Sequence, residues 1–243
     1  MKNDSREKAY SKYVSAHTSQ LYGEFNLGKI KNQFSAWQAI YGKFLPKNKK
    51  ANILDAGCGN GGFVFWLQEG GYKNAFGVDI SAEQVELAEK IGVKNIKQED
   101  VFNYLKDKED YFDLIFARDL VEHFKKDEVL RLLELFYSSL KKGGKLVIQT
   151  PNAEGIFGSR YAFWDITHET VFTRASLNQV FRLSGFDHLK FYPTRPPIHN
   201  LKSFVRRILW MVVEVILKFY LLVETGSPKA ILTQNIIVEA EKD

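Results

Sequence analysis

Cysteine is nearly absent from this chain: Cys58 is the single one in 243 residues. That excludes an internal disulfide framework and any zinc site built on cysteine, and it fits a reducing compartment. Proline is sparse, with six residues, and there are no repeats and no low-complexity linkers that would separate domains. The start, Met1 to Lys8, is polar and lacks the apolar core of a secretory signal, so a cytoplasmic location is expected. No uninterrupted apolar run approaches the roughly 20 residues that a bilayer span requires. No stripe of Lys and Arg with interleaved aromatics marks a nucleic-acid track, and no nucleic-acid partner is expected.

What is present suits one compact domain. Hydrophobic residues make up 45% and aromatics 14%, enough for a sizeable core, while the 26% charged residues are ordinary for a globular chain. The net charge of +5 gives a mild preference for anionic partners such as phosphorylated substrates or membrane headgroups. A lysine-rich solvated surface accounts for it equally well.

Residues 9–45 carry helical spacing (Tyr10, Tyr13, Val14, His17, then Phe34, Trp37, Ile40, Tyr41, Phe44) and stop at Pro46. From Ala51 short β runs alternate with helices. Strands are expected at 51–56, 75–79, 95–98, 112–117 and 145–150. Helices are expected at 62–69, from Ser81 in a capping-box-like start to about Ile91, and at 128–140, ended by Lys141–Gly144. A helix over 176–183, a strand over 187–192, a long apolar helix over about 201–223 and a β run over 230–240 follow. Such alternation implies a parallel sheet covered on both faces, with ligands beyond the carboxyl ends of its strands.

Gly57-Cys58-Gly59-Asn60-Gly61-Gly62 follows a strand and opens a helix, and Asp79 ends the next strand. The pattern fits a dinucleotide fingerprint, in which Asp79 would accept both ribose hydroxyls. Asp55, two residues before the first glycine, argues against that reading. A carboxylate there repels a pyrophosphate held on the helix N-terminus, yet it tolerates a cofactor bearing an ammonium and a sulfonium.

Ile53–Gly62, with Gly77-Val-Asp79-Ile80-Ser81, resembles the first two motifs of class I S-adenosylmethionine-dependent methyltransferases. Gln98-Glu-Asp100-Val101 resembles the family segment that reads the adenine amino group. Phe112–Ala117 with Leu120-Val-Glu122-His123, and Leu140–Ile148, resemble the later strands and their turns. The likeness covers about residues 50–150. It implies a Rossmann-like three-layer α/β sandwich with a mostly parallel seven-stranded sheet and an antiparallel last strand. N-terminal helices and an apolar helical insertion before the last strand would complete one domain. Its parts are a helical lid at 1–46, a cofactor core at 50–150, an acceptor side at 151–200, the insertion at 201–225 and the last strand at 230–240. The cofactor contacts so implied are Asp55, Ala56, Gly57, Cys58, Gly59, Asp79, Ile80, Asp100, Val101 and Arg118.

Methyl transfer from a sulfonium needs alignment, and a hydroxyl acceptor also needs a base, for which His is suited near neutral pH. Trp164-Asp165-Ile-Thr-His168 with Phe172-Thr173 resembles a bacterial branch that includes ubiquinone-type and surface-glycan O-methyltransferases. His168, oriented by Asp165, is the first candidate base; His123 is a second pocket element, and either histidine could instead be a structural hydrogen-bonding residue. His17 with Tyr13 could close over the pocket. Asp119, Glu122 and His123 match no recognised octahedral oxygen site, and no metal is expected. The acceptor implied is a glycan, a glycan precursor or a lipid-linked small molecule, with a quinone-precursor phenol or a non-catalytic assembly subunit as alternatives.

In 201–223 the polar residues Ser203, Arg207, Glu214 and Lys218 form one narrow stripe, and the rest is apolar. Three roles stay open: burial in the core or a homodimer interface, an acceptor lid, or in-plane membrane attachment with Lys202, Arg206 and Arg207 at headgroups.

Overall fold

The computed structural model describes Tyr10, Lys12, Val14 and residues 26–243. Helices α1 (Leu27–Lys31) and α2 (Phe34–Tyr41) lead through one 3-10 turn into the alternating region. There β1 (Ile53–Ala56), α3 (Gly62–Glu69), β2 (Ala75–Asp79), α4 (Ala82–Lys90), β3 (Ile96–Gln98), α5 (Val101–Leu105) and β4 (Phe112–Arg118) follow in turn. Next come α6 (Lys126–Ser139), β5 (Leu140–Pro151), α7 (Gly158–Ala162), α8 (Arg174–Leu183), β6 (His188–Pro193), α9 (Leu201–Thr225) and β7 (Asn235–Glu241).

The seven strands form one sheet in the order β3-β2-β1-β4-β5-β7-β6. The first five run parallel, and β7 lies antiparallel between β5 and β6. This is the expected architecture. Its centre reads as continuous apolar runs because both faces are covered: β1 is buried at all four positions, and β4 is open only at Asp113 and Arg118. On one face Phe63 and Trp66 of α3 pack with Tyr41 and Phe116. On the other, α5, α6 and α8 bury Leu105, Leu132, Phe136 and Phe181.

Three boundaries differ from expectation for local reasons. Lys141–Gly144 does not end α6 as a turn; Leu140 is already extended, and β5 starts there with a bulge. Leu140 pairs Phe112 and Lys145 pairs Leu114, so four residues of β5 loop out opposite one of β4. Strand β7 starts at Asn235 and not at Ala230, because the preceding carbonyls are held by side chains. Asn152 Nδ2 donates to the carbonyls of Ile231 (2.6 Å) and Thr233 (2.9 Å). At Ser81 no capping box forms: Asp79 Oδ1 takes the Ser81 amide (2.9 Å), and the serine hydroxyl makes no hydrogen bond.

Helix α9 departs furthest from a core element. Only Ser203 and Glu214 are buried along its 25 residues. The polar stripe faces inward onto the 195–200 segment, and the apolar remainder faces out. Glu214 accepts from Arg195 Nη2 (2.9 Å) and Nε (3.0 Å) and pairs with Lys218 (2.8 Å), while Arg207 donates to the Pro196 carbonyl. Burial in the core is therefore excluded. Among the described residues no helix is long and apolar enough to cross a membrane.

Candidate active site

The loop after β1 is shaped by glycines in the left-handed region, Gly57 at φ +67° and Gly59 at φ +52°. A Cβ at Gly57 would meet Leu120 Cδ1 at 2.7 Å, whereas one at Gly59 would only touch the Gln84 side chain at 3.8–3.9 Å, so Gly59 is required for its positive φ and not for space. The loop is bonded inward. The amides of Gly57 and Cys58 donate to the Val78 carbonyl, Gly59 to Asp79 Oδ2 (2.8 Å), Gly61 to the Cys58 carbonyl and Gly62 to Asn60 Oδ1. A pyrophosphate would find these five donors already engaged, which removes the usual anion cradle of a βα turn.

Asp55 acts differently from its expected role as a bare charge. It is fully buried and faces Arg118, with Nη2 3.2 Å from Oδ2 and Nε 3.4 Å from Oδ1. The guanidinium in turn lies 3.8 Å over the Phe63 ring. Burial lifts the Asp55 carboxyl above its ordinary value, and Arg118 counters that. With its charge paired, Asp55 is a keystone under the loop; the rejection of phosphate comes from the engaged amides.

Beyond the strand ends lies a cavity of about 1050 Å³, room for a nucleoside-sized ligand with an acceptor beside it. Gly57, Gly59, Asp79, Ile80, Asp100, Val101 and His123 are on its wall. Asp55, Ala56, Cys58 and Arg118 are not; they lie beneath the loop, as does the Cys58 thiol, whose pKa burial raises well above its ordinary value. Asp79 holds the Gly59 and Ser81 amides, so its carboxylate is fixed at the cavity edge, although burial lifts its pKa. Asp100 caps α5, its Oδ1 accepting from the Phe102 (3.0 Å) and Asn103 amides.

Several wall residues escaped the sequence reading. Ser81 Oγ and Gln84 Oε1 are buried at the wall without hydrogen-bond partners, polar atoms that a bound ligand would satisfy. These orphans and the fixed Asp79 fit the polar nucleoside end of S-adenosylmethionine. Asp119 holds an unusual φ of +52° and opens onto the cavity with Gln149 Nε2 at 3.1 Å. Desolvation at the cavity wall lifts its pKa, while Gln149 and Arg118 pull it down. It is thus a carboxylate available to a cationic ligand group. From the N-terminal segment Tyr10 reaches the wall, its ring 6.2 Å from that of His123. Tyr13 and His17 lie outside the described residues.

The histidines meet, but with partners other than those expected. The Glu122 carbonyl accepts the amides of Glu169 and Thr170, drawing the 165–170 segment against the turn after β4. The rings of His123 and His168 then stand 4.9 Å apart, edge to face. Asp165 does not orient His168: it accepts from the Thr167 hydroxyl (2.7 Å) and amide (2.9 Å). The same hydroxyl lies 2.8 Å from His123 Nδ1. That hydroxyl donates its one proton to Asp165 Oδ1, so its bond to His123 takes an Nδ1–H of the imidazole. His168 turns Nδ1 to the carbonyls of Tyr161 (3.2 Å) and Ala162 (3.3 Å) and is behind the wall. Glu122, almost fully buried, takes the Thr150 hydroxyl on Oε2 (3.1 Å), and its Oε1 has no partner. Burial, and then the neighbouring Asp119 charge, raise the Glu122 carboxyl well above its ordinary value. Donor atoms of Glu122, His123 and His168 come within 4.8 Å of one another.

A parallel sheet with a glycine turn after β1, an acid ending β2 and a cavity at the carboxyl edge defines a nucleoside-binding α/β domain of the doubly wound kind. Within that class the chain belongs to the methyltransferase domain family, whose model matches residues 30–190. It is 33% identical over 100 residues to phosphoethanolamine N-methyltransferase 3 of Arabidopsis thaliana, covering 40% of this chain and 20% of that protein. It is also 33% identical over 145 residues to tRNA U34 carboxymethyltransferase of Helicobacter acinonychis, covering 53% of this chain and 52% of that protein. The chain thus spans between a fifth and about half of these curated relatives. Its fold resembles a SAM-dependent methyltransferase from Archaeoglobus fulgidus, with a TM-score of 0.67 and 22% identity over 95% of this chain and all of that one. It also resembles Haemonchus contortus phosphoethanolamine N-methyltransferase 2 in complex with S-adenosyl-L-methionine, with a TM-score of 0.63 and 16% identity over 96% of this chain and 60% of that one.

Proposed function

We propose that this chain transfers a methyl group from S-adenosylmethionine to a hydroxyl of a small or lipid-linked acceptor, a glycan or its precursor, with His123 as the base. The observation that carries this reading is the chain Asp165–Thr167–His123, which ends on the wall of the cavity opened by Gly59 and Asp79. The cofactor supplies a methyl group already activated on a sulfonium. Asp79 and Asp100 hold its nucleoside, Asp119 its cationic end, and Ser81 and Gln84 fill their open hydrogen-bonding capacity on it. His123 Nε2 takes the acceptor proton as oxygen bonds to carbon, and the carbon–sulfur electron pair returns to sulfur. Asp165, through Thr167, fixes the His123 tautomer and stabilises the imidazolium that forms. His168 packs against His123 and holds its ring plane.

A second reading has its own support. The phosphoethanolamine methyltransferases among the relatives suggest an amine on a phosphorylated alcohol as the acceptor. The same base would then deprotonate an ammonium. Titration calorimetry tests the shared part: heat with S-adenosylmethionine, lost in Asp79→Ala, is expected, and no heat in the native chain would defeat both readings. Acceptor assays comparing glycan hydroxyls, phenols and phosphoethanolamine, with and without a chelator, separate the two and reveal whether Glu122, His123 and His168 need a cation.

A further inference from the structure

Helix α9 is inverted relative to an ordinary surface helix, and the inversion calls for a covering surface. At 100° per residue, with Glu214 pointing inward, the outward positions from Met211 to Val213 span an arc of roughly 200°. Arg207, Glu214 and Lys218 all fall on the inward side, so no charge interrupts that arc between Arg206 and Glu224. Val215, Ile216 and Phe219 are each about two-thirds exposed.

The width of the arc distinguishes the possible occupants. A partner helix covers a narrow seam, about 100° or less; a second copy docking along α9 would leave at least about half of the arc in water. A bilayer surface has no fixed shape and covers the whole arc. The charges agree. Lys202 and Arg206 are exposed in the first turns of α9, Lys229 is exposed just past its end, and the whole chain carries +5. The stretch from Ile208 to Val223, whose charges Glu214 and Lys218 both face inward, is about 24 Å long at 1.5 Å per residue, so it can lie in the membrane plane but not cross it.

A second apolar surface issues from the same edge of the sheet. β5 and β6 end there side by side with the start of β7, at Pro151, Pro193 and Asn235–Ile236. The segment after β5 exposes Phe163 to 85% and Ile166 to 97%, with Phe157 and Trp164 also exposed. The cavity opens on that edge too, since β1, β2 and β4 run parallel to β5.

We propose that α9, with the 157–166 segment that leaves the same sheet edge, docks in the plane of an anionic membrane surface and turns the cavity edge toward the lipid. This does not depend on which acceptor is methylated. The test is co-sedimentation of the full chain with vesicles of phosphatidylcholine, with and without about one third phosphatidylglycerol. The native chain is expected to sediment with the anionic vesicles and to be released by high salt. The double variant Val212→Glu/Ile216→Glu is expected to bind at least about tenfold more weakly, and Phe163→Ser/Ile166→Ser to be weakened independently. Calorimetry with S-adenosylmethionine on the same preparations checks that each variant is folded, and it keeps a failure of docking separate from a failure of the cofactor assignment. A native chain that stays in the supernatant, or a glutamate variant that sediments like the native one, would overturn the proposal. So would a native dimer that ignores vesicles and is split by the glutamates, which would assign the face to a second copy. Equal binding to pure phosphatidylcholine would overturn the assignment to an anionic surface.

Discussion

At the scale of single residues, the charges beneath the glycine loop matter most. Arg118 is held under Phe63 and cannot lose its proton, so removing its partner leaves a buried, uncompensated cation. Asp55→Leu is expected to destabilise the cofactor-free protein by about 3–5 kcal/mol in urea unfolding. The double change Asp55→Leu/Arg118→Met should recover most of that loss, and a cycle without coupling would show that the two do not act as a pair. On the cavity side, Thr167→Val keeps the shape but cuts the link between Asp165 and His123. Turnover is expected to fall roughly 10- to 100-fold with unchanged cofactor affinity, and the alkaline-rising limb of the pH–rate profile should move, since the His123 imidazolium loses its carboxylate support. His123→Gln should cost more, on the order of 10²–10⁴-fold. If Thr167→Val altered only stability and left the pH profile in place, the relay would have no chemical role. The sequence made Asp165, His123 and His168 visible as candidates but paired the wrong two. Spacing along a loop says nothing about which side chain folds over it, and the histidine that Asp165 reaches through Thr167 lies 42 positions away, on the turn after β4.

At the scale of elements, the strands and the glycine turn were legible because each rests on a local pattern. Apolar runs bounded by acids and glycines gave β1, β2 and β4 nearly to the residue, and α3 at Gly62–Glu69 in full. Illegible were features set by distant backbone, such as the late start of β7, which depends on Asn152 capturing two carbonyls. Helix α9 is the clearest case. Its narrow polar stripe was readable, but an inward-facing stripe contradicts the usual solvent rule, and it is settled only by Arg195 on a neighbouring segment. That anchor has a measurable consequence. Arg195, then Lys218, hold the Glu214 carboxyl down to about 2. A depressed carboxylate pKa contributes stability that is full above the ordinary carboxyl range and is lost as pH falls from about 4 toward 2. Hydrogen exchange in α9, corrected for intrinsic rates, is expected to accelerate between pH 5 and pH 2.5. Glu214→Gln should show the faster exchange already at pH 5. Equal protection in variant and native chains would mean that the helix is held by something other than this ion pair.

At the scale of the whole molecule, the acids at the carboxyl edge of the sheet act together. Burial lifts the carboxyls of Asp55, Asp79, Asp119 and Glu122 above their ordinary values, Glu122 furthest above. The folded chain therefore keeps protons that the unfolded chain has released, and by linkage its stability falls as pH rises from about 4 through the folded values. Glu122→Gln removes the largest of these contributions, since it mimics the protonated acid. Its melting temperature relative to the native chain should rise as pH rises above about 4.5, the ordinary carboxyl value. A cationic cofactor entering the cavity acts in the opposite sense, because its ammonium and sulfonium favour the ionised form of the acids near it. Binding is then expected to expel protons at pH values where these acids are partly protonated in the free protein, and the binding heat there should depend on the ionisation heat of the buffer. The demethylated product keeps the ammonium but lacks the sulfonium charge, so it should expel fewer protons, and Asp119→Asn should reduce the difference between the two ligands. Identical proton release by both ligands would place the sulfonium away from Asp119 and Glu122, and with it the point at which the acceptor must approach.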